Sequence, residues 1–330
     1  MIRLPQIKHL SLLLALLLTL SPGPSAWQRL MAAEREVSIA RDFGTLYGTL
    51  VQPDDSTAGT AVLFIAGSGP TDRDCNSRLG IRTNAFRYLA DALEAAGIAS
   101  LRYDKRGIGQ SVYDDPERLK EVVFEDFVTD AAAWVDYLAG EGYRKIVLLG
   151  HSEGALIALC AAQGNERVTA VIEVSGAGQS LDFILQGQLA SQLALADPGL
   201  YVQATGIIDR LRAGKRVDEV PQSLAALFHP SVQPFLISAF RYDPCRLVAA
   251  LDIPVLIVQG DNDLQVPTRE AEALAAAQPC ARKIIVKGMT HTLKTSDGHT
   301  QNEQLAAYTD STLALAPGLT DAITEFIKAL

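Results

Sequence analysis

The sequence predicts an α/β protein with a mostly parallel, twisted sheet flanked by helices. Short apolar runs alternate with longer amphipathic segments along most of the 330 residues. A hydrophobic content of 48% over that length is enough to bury a full core. The alternation fails between Gly176 and Leu251 and then resumes. We therefore expect a core of residues 34–176 and 252–330 with a helical insertion at 177–251.

The elements follow from two periodicities. Period-two alternation in EVSIAR and TLYGTLVQP, with Gly44 near the turn, is typical of an antiparallel strand pair. Further strands then alternate with helices, which favours parallel strands joined by right-handed crossovers. The runs predict strands at 61–67, 98–104, 145–150, 168–176, 253–260 and 281–288, and helices at 84–97, 121–139, 153–163, 268–277 and 319–329.

The first residues resemble a secretory signal peptide. Basic residues precede an apolar run at 10–20, and turn-forming and small residues follow it. The run is about half of the roughly 20 residues that a membrane-spanning helix needs, so an uncleaved anchor is the weaker interpretation. We expect a signal peptide at 1–26, cut after Ser25 or Ala26, and a secreted or periplasmic protein without a stable membrane anchor.

Charge and cysteine content narrow the function classes. A net charge of -9 argues against nucleic acid and anionic membranes as partners, because an acidic surface repels them. None of the four cysteines pairs as CxxC, so we expect no metal site. One or two disulfides would suit an oxidising compartment, although Cys160 on an apolar helix favours a buried free thiol.

A strand, a tight turn and a helix surround one serine. Gly150, Ser152 and Gly154 form G-x-S-x-G between KIVLL and ALIALCAA, which is the setting of a nucleophile elbow. Side chains at the two glycine positions would collide in so tight a turn. The following helix directs its positive end at the site and favours developing negative charge. The motif is weak alone, but this context indicates a nucleophilic Ser152.

A serine hydroxyl needs a base, and the base needs a carboxylate to hold its tautomer. His291 follows the last predicted strand, at the same sheet edge as Ser152, whereas His299 lies further along a polar loop. We therefore predict His291 as the base. Asp261 and Asp263 both follow the preceding strand, and spacing alone does not separate them.

Four segments together resemble the α/β-hydrolase superfamily, particularly its bacterial esterase and serine aminopeptidase-like group. These segments are AGSGPTDRD (66–74), YDKRGIGQS (103–111), GHSEG (150–154), and GDNDLQVP with THTLK. The resemblance covers most of the chain outside the insertion and the leader. This sequence departs from the family pattern at Cys75, where similar proteins commonly have glycine.

The resemblance implies roles for particular residues. The acid is the fourth residue of G-x-x-D, here Asp263, which completes a triad with Ser152 and His291. Backbone amides of Glu153 and of Ser68 or Gly69 are implied as the oxyanion hole. D-x-R-G-x-G-x-S implies a structural brace through Asp104 and Arg106, and it lacks the third glycine and the Walker lysine of a phosphate loop.

The sequence thus predicts a serine hydrolase that cleaves carboxylic esters of small molecules without a metal or organic cofactor. A peptidase or amidase with the same triad is the alternative, with Glu173 and Asp182 as its only hints of an anchor for a substrate amine. A thioesterase and a non-catalytic binding protein are further alternatives. The insertion is expected to form a lid whose apolar residues suit an acyl or aryl group, although helix packing accounts for them equally well: Leu181, Phe183, Ile184, Leu185 and Leu189.

Overall fold

The computed structural model describes residues 34–53 and 59–330, so the predicted signal peptide lies outside the described residues. The strands are β1 (Glu34–Arg41), β2 (Gly44–Val51), β3 (Thr60–Ile65), β4 (Ala99–Tyr103), β5 (Lys145–His151), β6 (Val168–Val174), β7 (Val255–Gly260) and β8 (Arg282–Val286). In this part of the chain they form one sheet in the order β1-β2-β4-β3-β5-β6-β7-β8. β2 pairs antiparallel with β1 and β4, and every other pairing is parallel. The predicted fold class is confirmed.

Helices cover both faces of the sheet. They are α1 (Ala85–Ala95), α2 (Phe124–Gly140), α3 (Glu153–Ala162), α4 (Leu181–Leu193), α5 (Pro198–Arg212), α6 (Ala225–Phe228), α7 (Gln233–Ala239), α8 (Pro244–Ala249), α9 (Thr268–Ala277), α10 (Leu305–Thr309) and α11 (Leu319–Lys328). Only α10 has no counterpart among the predicted elements outside the insertion, because five residues carry too little periodicity to reveal a helix. The predicted bounds of the other core elements differ by a few residues.

Alternate residues of the central strands pack into two separate apolar clusters. Leu63 and Leu148 belong to the cluster beneath α2, α3 and α9, whereas Val62 and Val147 belong to the cluster beneath α1 and α11. A parallel sheet covered on both faces needs apolar residues at successive positions, which explains the continuous apolar runs of the sequence.

Between β6 and β7 the described elements are all helical. α4 to α7 bury a third apolar cluster of their own, which includes Ile208, Phe228 and Leu236. One described segment, Gln222–Ala249, is long and apolar enough to cross a membrane by length and composition alone. It is divided among α6, α7, α8 and short 3₁₀ turns, and a buried part of a folded domain passes the same test.

Candidate active site

Ser152 occupies a strained turn between β5 and α3. Its backbone has φ +55° and ψ -120°, a conformation that residues other than glycine rarely adopt. A Cβ at Gly150 would lie 2.2 Å from the Gly154 carbonyl oxygen, and one at Gly154 would lie 2.0 Å from the Ile65 carbonyl oxygen. Backbone crowding therefore requires both glycines, as the sequence predicted.

The structure brings the three predicted triad residues together. The Ser152 hydroxyl lies 3.1 Å from His291 Nε2, and His291 Nδ1 lies 2.8 Å from Asp263 Oδ2. His291 follows β8 and Asp263 follows β7, so both lie at the carboxyl edge of the sheet beside Ser152. His291 and Asp263 are almost entirely buried. A continuous hydrogen-bonded chain can thus carry a proton from the serine hydroxyl to the imidazole.

Asp263 is held as a carboxylate by its surroundings. Burial on its own would raise its pKa, but the neighbouring His291 and two backbone amides keep the pKa of Asp263 below the usual value. These amides belong to Gln265 and Val266, at 2.8 and 2.9 Å from Oδ1, and the Gln259 amide donates to Oδ2 at 3.1 Å. An ionised Asp263 can fix the tautomer and the orientation of the His291 ring.

The alternatives that the sequence offered for the acid and the base have other partners. Asp261 is exposed and accepts a hydrogen bond from the Gly288 amide at 2.6 Å, as a turn residue does. His299 is also exposed, and its Nδ1 lies 3.0 Å from the side-chain oxygen of Asn262. Neither residue contacts Ser152 in the described hydrogen-bond network.

His151 links the elbow to the loop that carries His291, a role that sequence reasoning missed. Its Nε2 lies 2.8 Å from the His291 carbonyl oxygen, which can only accept, so this nitrogen carries the proton. Desolvation and then the nearby His291 ring lower the pKa of His151 to about 3. A neutral His151 can therefore hold the backbone of His291 in place at ordinary pH. The sequence signal for this role is the position of His151 directly before the nucleophile Ser152.

The three predicted oxyanion-hole residues border Ser152. A Cβ at Gly67 would lie 3.1 Å from Ser152 Cβ, so the loop after β3 passes directly against the nucleophile. Ser68 and Gly69 line the space next to Ser152, and Gly69 adopts φ +80°. Glu153 begins α3, where the first backbone amides have no partner within their own helix. The donation of these amides to an oxyanion stays a prediction.

Lys105 joins the two halves of the predicted oxyanion hole, and sequence reasoning did not single it out. Its ammonium is almost completely buried and donates to the Gly67 carbonyl at 2.6 Å and to Glu153 Oε1 at 3.1 Å. The Gly67 carbonyl and the Ser68 amide belong to the same planar peptide and point in opposite directions. A bond to that carbonyl therefore also fixes the direction of the Ser68 N–H.

Residues on either side of Lys105 have the contacts of a structural brace. Asp104 accepts from the backbone amide and the guanidinium of Arg73, both at 2.8 Å, and from the Gln110 amide at 3.0 Å. Arg106 forms a bidentate pair with Asp130 on α2 at 2.6 and 2.7 Å. These buried bonds attach the loops after β3 and β4 to the core.

Two cavities meet at Ser152. The large cavity, of about 450 Å³, extends from Ser152 beneath α4, α6 and α7. Its lining is mainly apolar and includes Phe127, Leu156, Leu185, Leu227, Phe235 and Val266. The small cavity, of about 120 Å³, lies on the other side of the serine and is bordered by Thr71, Thr83, His291, Thr292, Leu293 and Tyr308. Ser152 is accessible from both.

The apolar residues predicted to face a substrate are divided by helical geometry. Three of them line the large cavity: Leu181, Ile184 and Leu185. They share one face of α4 because side chains three and four positions apart lie together. Phe183 is instead 54% exposed, with its ring 5.1 Å from the Arg212 guanidinium. Leu189 packs in the third cluster, so helix packing accounts for it.

The two acidic residues that hinted at an amine anchor lie away from both cavities. Asp182 is buried and accepts from Arg212 Nε and from the Ser180 hydroxyl, each at 2.5 Å. Glu173 is buried within the sheet and borders neither cavity. Glu153, which lines the large cavity, is paired with Lys105.

All four cysteines are free thiols. Cys75 adopts φ +64°, a left-handed conformation that favours glycine, and it borders the small cavity. The Cys245 thiol donates to the Gly178 carbonyl at 3.0 Å. Residues 34–53 and 59–330 contain no group of three or more His, Cys, Asp or Glu side chains placed to hold a metal ion.

Comparison with known proteins identifies the class to which this fold and site belong. The chain belongs to the family described as serine aminopeptidase, S33, whose model matches residues 76–296 and so spans Ser152, Asp263 and His291. The chain is a member of the α/β-hydrolase superfamily. The match begins within the loop between β3 and α1, after Ser68 and Gly69.

Particular relatives support the same class. Over 228 residues the chain is 27% identical to esterase EstD of Thermotoga maritima, and the alignment covers 69% of this chain and 52% of EstD, about half of its length. It is 28% identical over 240 residues to polyketide transferase ATR5 of Stachybotrys chlorohalonatus, which covers 64% of this chain and 79% of that protein.

Two solved structures share the fold at low sequence identity. Est1E of Butyrivibrio proteoclasticus, solved with ferulic acid bound, has a TM-score of 0.55 and 19% identity over 89% of this chain and 96% of its own. The α/β hydrolase GrgF of Penicillium sp. sh18 has a TM-score of 0.56 and 18% identity over 90% of this chain and 98% of its own. At these identities the likeness shows the fold alone.

Proposed function

We propose that this protein is a serine hydrolase that cleaves carboxylic esters through an acyl-enzyme intermediate. The hydrogen-bonded chain from Ser152 through His291 to Asp263, placed where two cavities meet, carries the proposal. EstD, to which this chain is 27% identical over 228 residues, is an esterase by name, and this agrees with the proposal.

The contacts support a two-stage reaction. Ser152 attacks the ester carbonyl while His291 accepts its proton, and the amides of Glu153 and Ser68 or Gly69 stabilise the oxyanion. His291 then returns the proton to the leaving alcohol. Water next attacks the acyl-enzyme with His291 as the base, which releases the acid and restores Ser152. Asp263 stays ionised and steadies the imidazolium in both stages.

The carboxylates around the site favour an ester over an aminopeptidase substrate. A free α-amino group is charged, and an unpaired carboxylate in the cavity would bind it through a charge-assisted hydrogen bond. In the described residues Asp182 is paired with Arg212, Glu153 is paired with Lys105, and Glu173 is enclosed in the core. The apolar lining of the large cavity instead suits an uncharged acyl or aryl group.

Two further roles complete the proposal. Residues 1–26 would direct export, so that the enzyme meets its substrate outside the cytoplasm as a secreted or periplasmic protein. The helical insertion would act as a lid, because α4, α6 and α7 supply much of the wall of the large cavity. Fractionation of a secreting host with N-terminal sequencing tests the first role: we expect exported protein that begins after Ser25 or Ala26, and cytoplasmic protein with an intact Met1 would contradict it.

Matched substrates test the reaction class. Ethyl octanoate, its thioester and its amide share the acyl group and differ in the leaving atom, and alanine p-nitroanilide represents an aminopeptidase substrate. We expect turnover of the ester, little turnover of the amide and the anilide, and no turnover by Ser152→Ala. Preference for the anilide would identify a peptidase and preference for the thioester a thioesterase. Equal activity of Ser152→Ala would show that the elbow is not the site of reaction.

A further inference from the structure

The two cavities at Ser152 differ in which catalytic group they contain. His291, Thr292 and Leu293 border the small cavity, and none of these three borders the large one. Lys105, which holds the loop of the predicted oxyanion hole, borders only the large cavity. Ser68 and Ser152 border both. The site is therefore chemically asymmetric about the nucleophile.

The chemistry of the reaction determines which part of the substrate lies on each side of Ser152. The tetrahedral intermediate carries three groups besides Ser152 Oγ: the oxyanion, the acyl substituent and the leaving alkoxide. The proton that His291 Nε2 takes from the serine must go to the alkoxide oxygen when the carbon–oxygen bond breaks, so the alkoxide has to face His291. The acyl substituent then lies on the side away from His291.

The volumes of the two cavities limit the size of the substrate group that each can hold. The small cavity of about 120 Å³ is roughly a quarter of the size of the large cavity of about 450 Å³. The small cavity therefore suits only a short group, whereas the large cavity has room for a long chain or an aromatic ring. The large cavity is also lined mainly by apolar side chains, which favour an alkyl or aryl chain over water.

We infer that the acyl group binds in the large cavity and the alcohol in the small cavity, so that the preferred substrates are esters of medium-chain, long-chain or aryl acids with small alcohols. The inference rests on the proposed ester hydrolysis and adds the orientation and the substrate class.

Two isomeric esters test the orientation directly. Ethyl decanoate and decyl acetate have the same atoms and similar hydrophobicity, but the long chain is on the acyl side of one and on the alcohol side of the other. We expect kcat/KM to be at least about tenfold higher for ethyl decanoate, because only its long chain faces the large cavity. Equal values, or preference for decyl acetate, would overturn the orientation. Failure to cleave either ester would overturn the proposed function itself and the inference with it.

Variants of each wall sharpen the test. Leu185→Trp narrows the large cavity and should lower kcat/KM for ethyl decanoate more than for ethyl acetate. Tyr308→Ala widens the small cavity and should raise kcat/KM for decyl acetate relative to ethyl decanoate. Leu195→Trp is the control, since Leu195 is 99% exposed in the same insertion and should leave all ratios unchanged. A reversal of the first two effects would place the acyl group in the small cavity.

Discussion

Glu173 makes the stability of this protein depend on pH in an unusual direction. The side chain lies on β6 opposite Gly150 and is 1% exposed, and neither carboxyl oxygen has a hydrogen-bond partner among the described residues. Burial raises the pKa of Glu173 to about 8. The folded protein therefore keeps this carboxyl protonated at neutral pH, whereas the unfolded chain releases the proton above about pH 4.5.

The magnitude follows from the difference between the two pKa values. Because the folded state binds the proton and the unfolded state does not, raising the pH through this window favours unfolding. For a pKa of about 8 folded and 4.5 unfolded, the free energy of unfolding falls by on the order of 3 kcal/mol between about pH 5 and pH 8. Glu173→Gln keeps the size of the side chain and cannot ionise, so it lacks this loss.

Urea unfolding of the wild type and Glu173→Gln across this pH range measures the effect. We expect the glutamine variant to gain stability relative to the wild type as the pH rises, by on the order of 3 kcal/mol in total. Other titrating groups cancel because both proteins contain them. Glu272→Gln, at an exposed glutamate on α9, is the control and should follow the wild type. A constant difference between wild type and Glu173→Gln would refute the reasoning.

Two other substitutions test the backbone around the nucleophile. Lys105→Met removes the donor to the Gly67 carbonyl and should lower kcat on an ester by about tenfold or more, with little change in KM. The reason is that loss of one oxyanion-hole donor lowers kcat by a factor of about 10²–10³. An unchanged kcat, or a change in KM alone, would contradict this role. Gly154→Ala puts a Cβ 2.0 Å from the Ile65 carbonyl oxygen and should cost about 3 kcal/mol or more in thermal unfolding. Gly187→Ala on α4 meets nothing within 4 Å and should be neutral or stabilising by up to about 1 kcal/mol; equal effects of the two alanines would argue against crowding at the elbow.

The sequence predicted the sheet, the elbow and the position of His291 because each depends on local pattern and chain order. Apolar runs separated by amphipathic helices define parallel strands, and loops after such strands gather at one edge. The choice of Asp263 as the acid required the resemblance to the family, since Asp261 follows the same strand two residues earlier. Only the tertiary structure shows that Asp261 binds a turn amide while Asp263 faces the imidazole.

Contacts between distant segments account for what sequence reasoning missed. Lys105 lies inside a motif that indicated a brace, but its bond to Gly67 joins loops 38 residues apart. Glu173 lies in a strand that is buried on both faces of the sheet. In such a strand apolar and polar residues do not alternate, so the sequence does not reveal to which face a side chain points. The exposure of Phe183 depends on how α4 is rotated against the core, which its weak amphipathic pattern does not determine.

The most direct test of the central claim is covalent labelling of the protein with an alkyl fluorophosphonate, followed by intact-mass measurement and peptide mapping. We expect a single adduct on Ser152, none on Ser152→Ala, and much slower labelling of His291→Ala, because the serine is nucleophilic only when the imidazole can take its proton. An adduct at another residue, or equal labelling of Ser152→Ala, would contradict the account of Ser152 as the nucleophile.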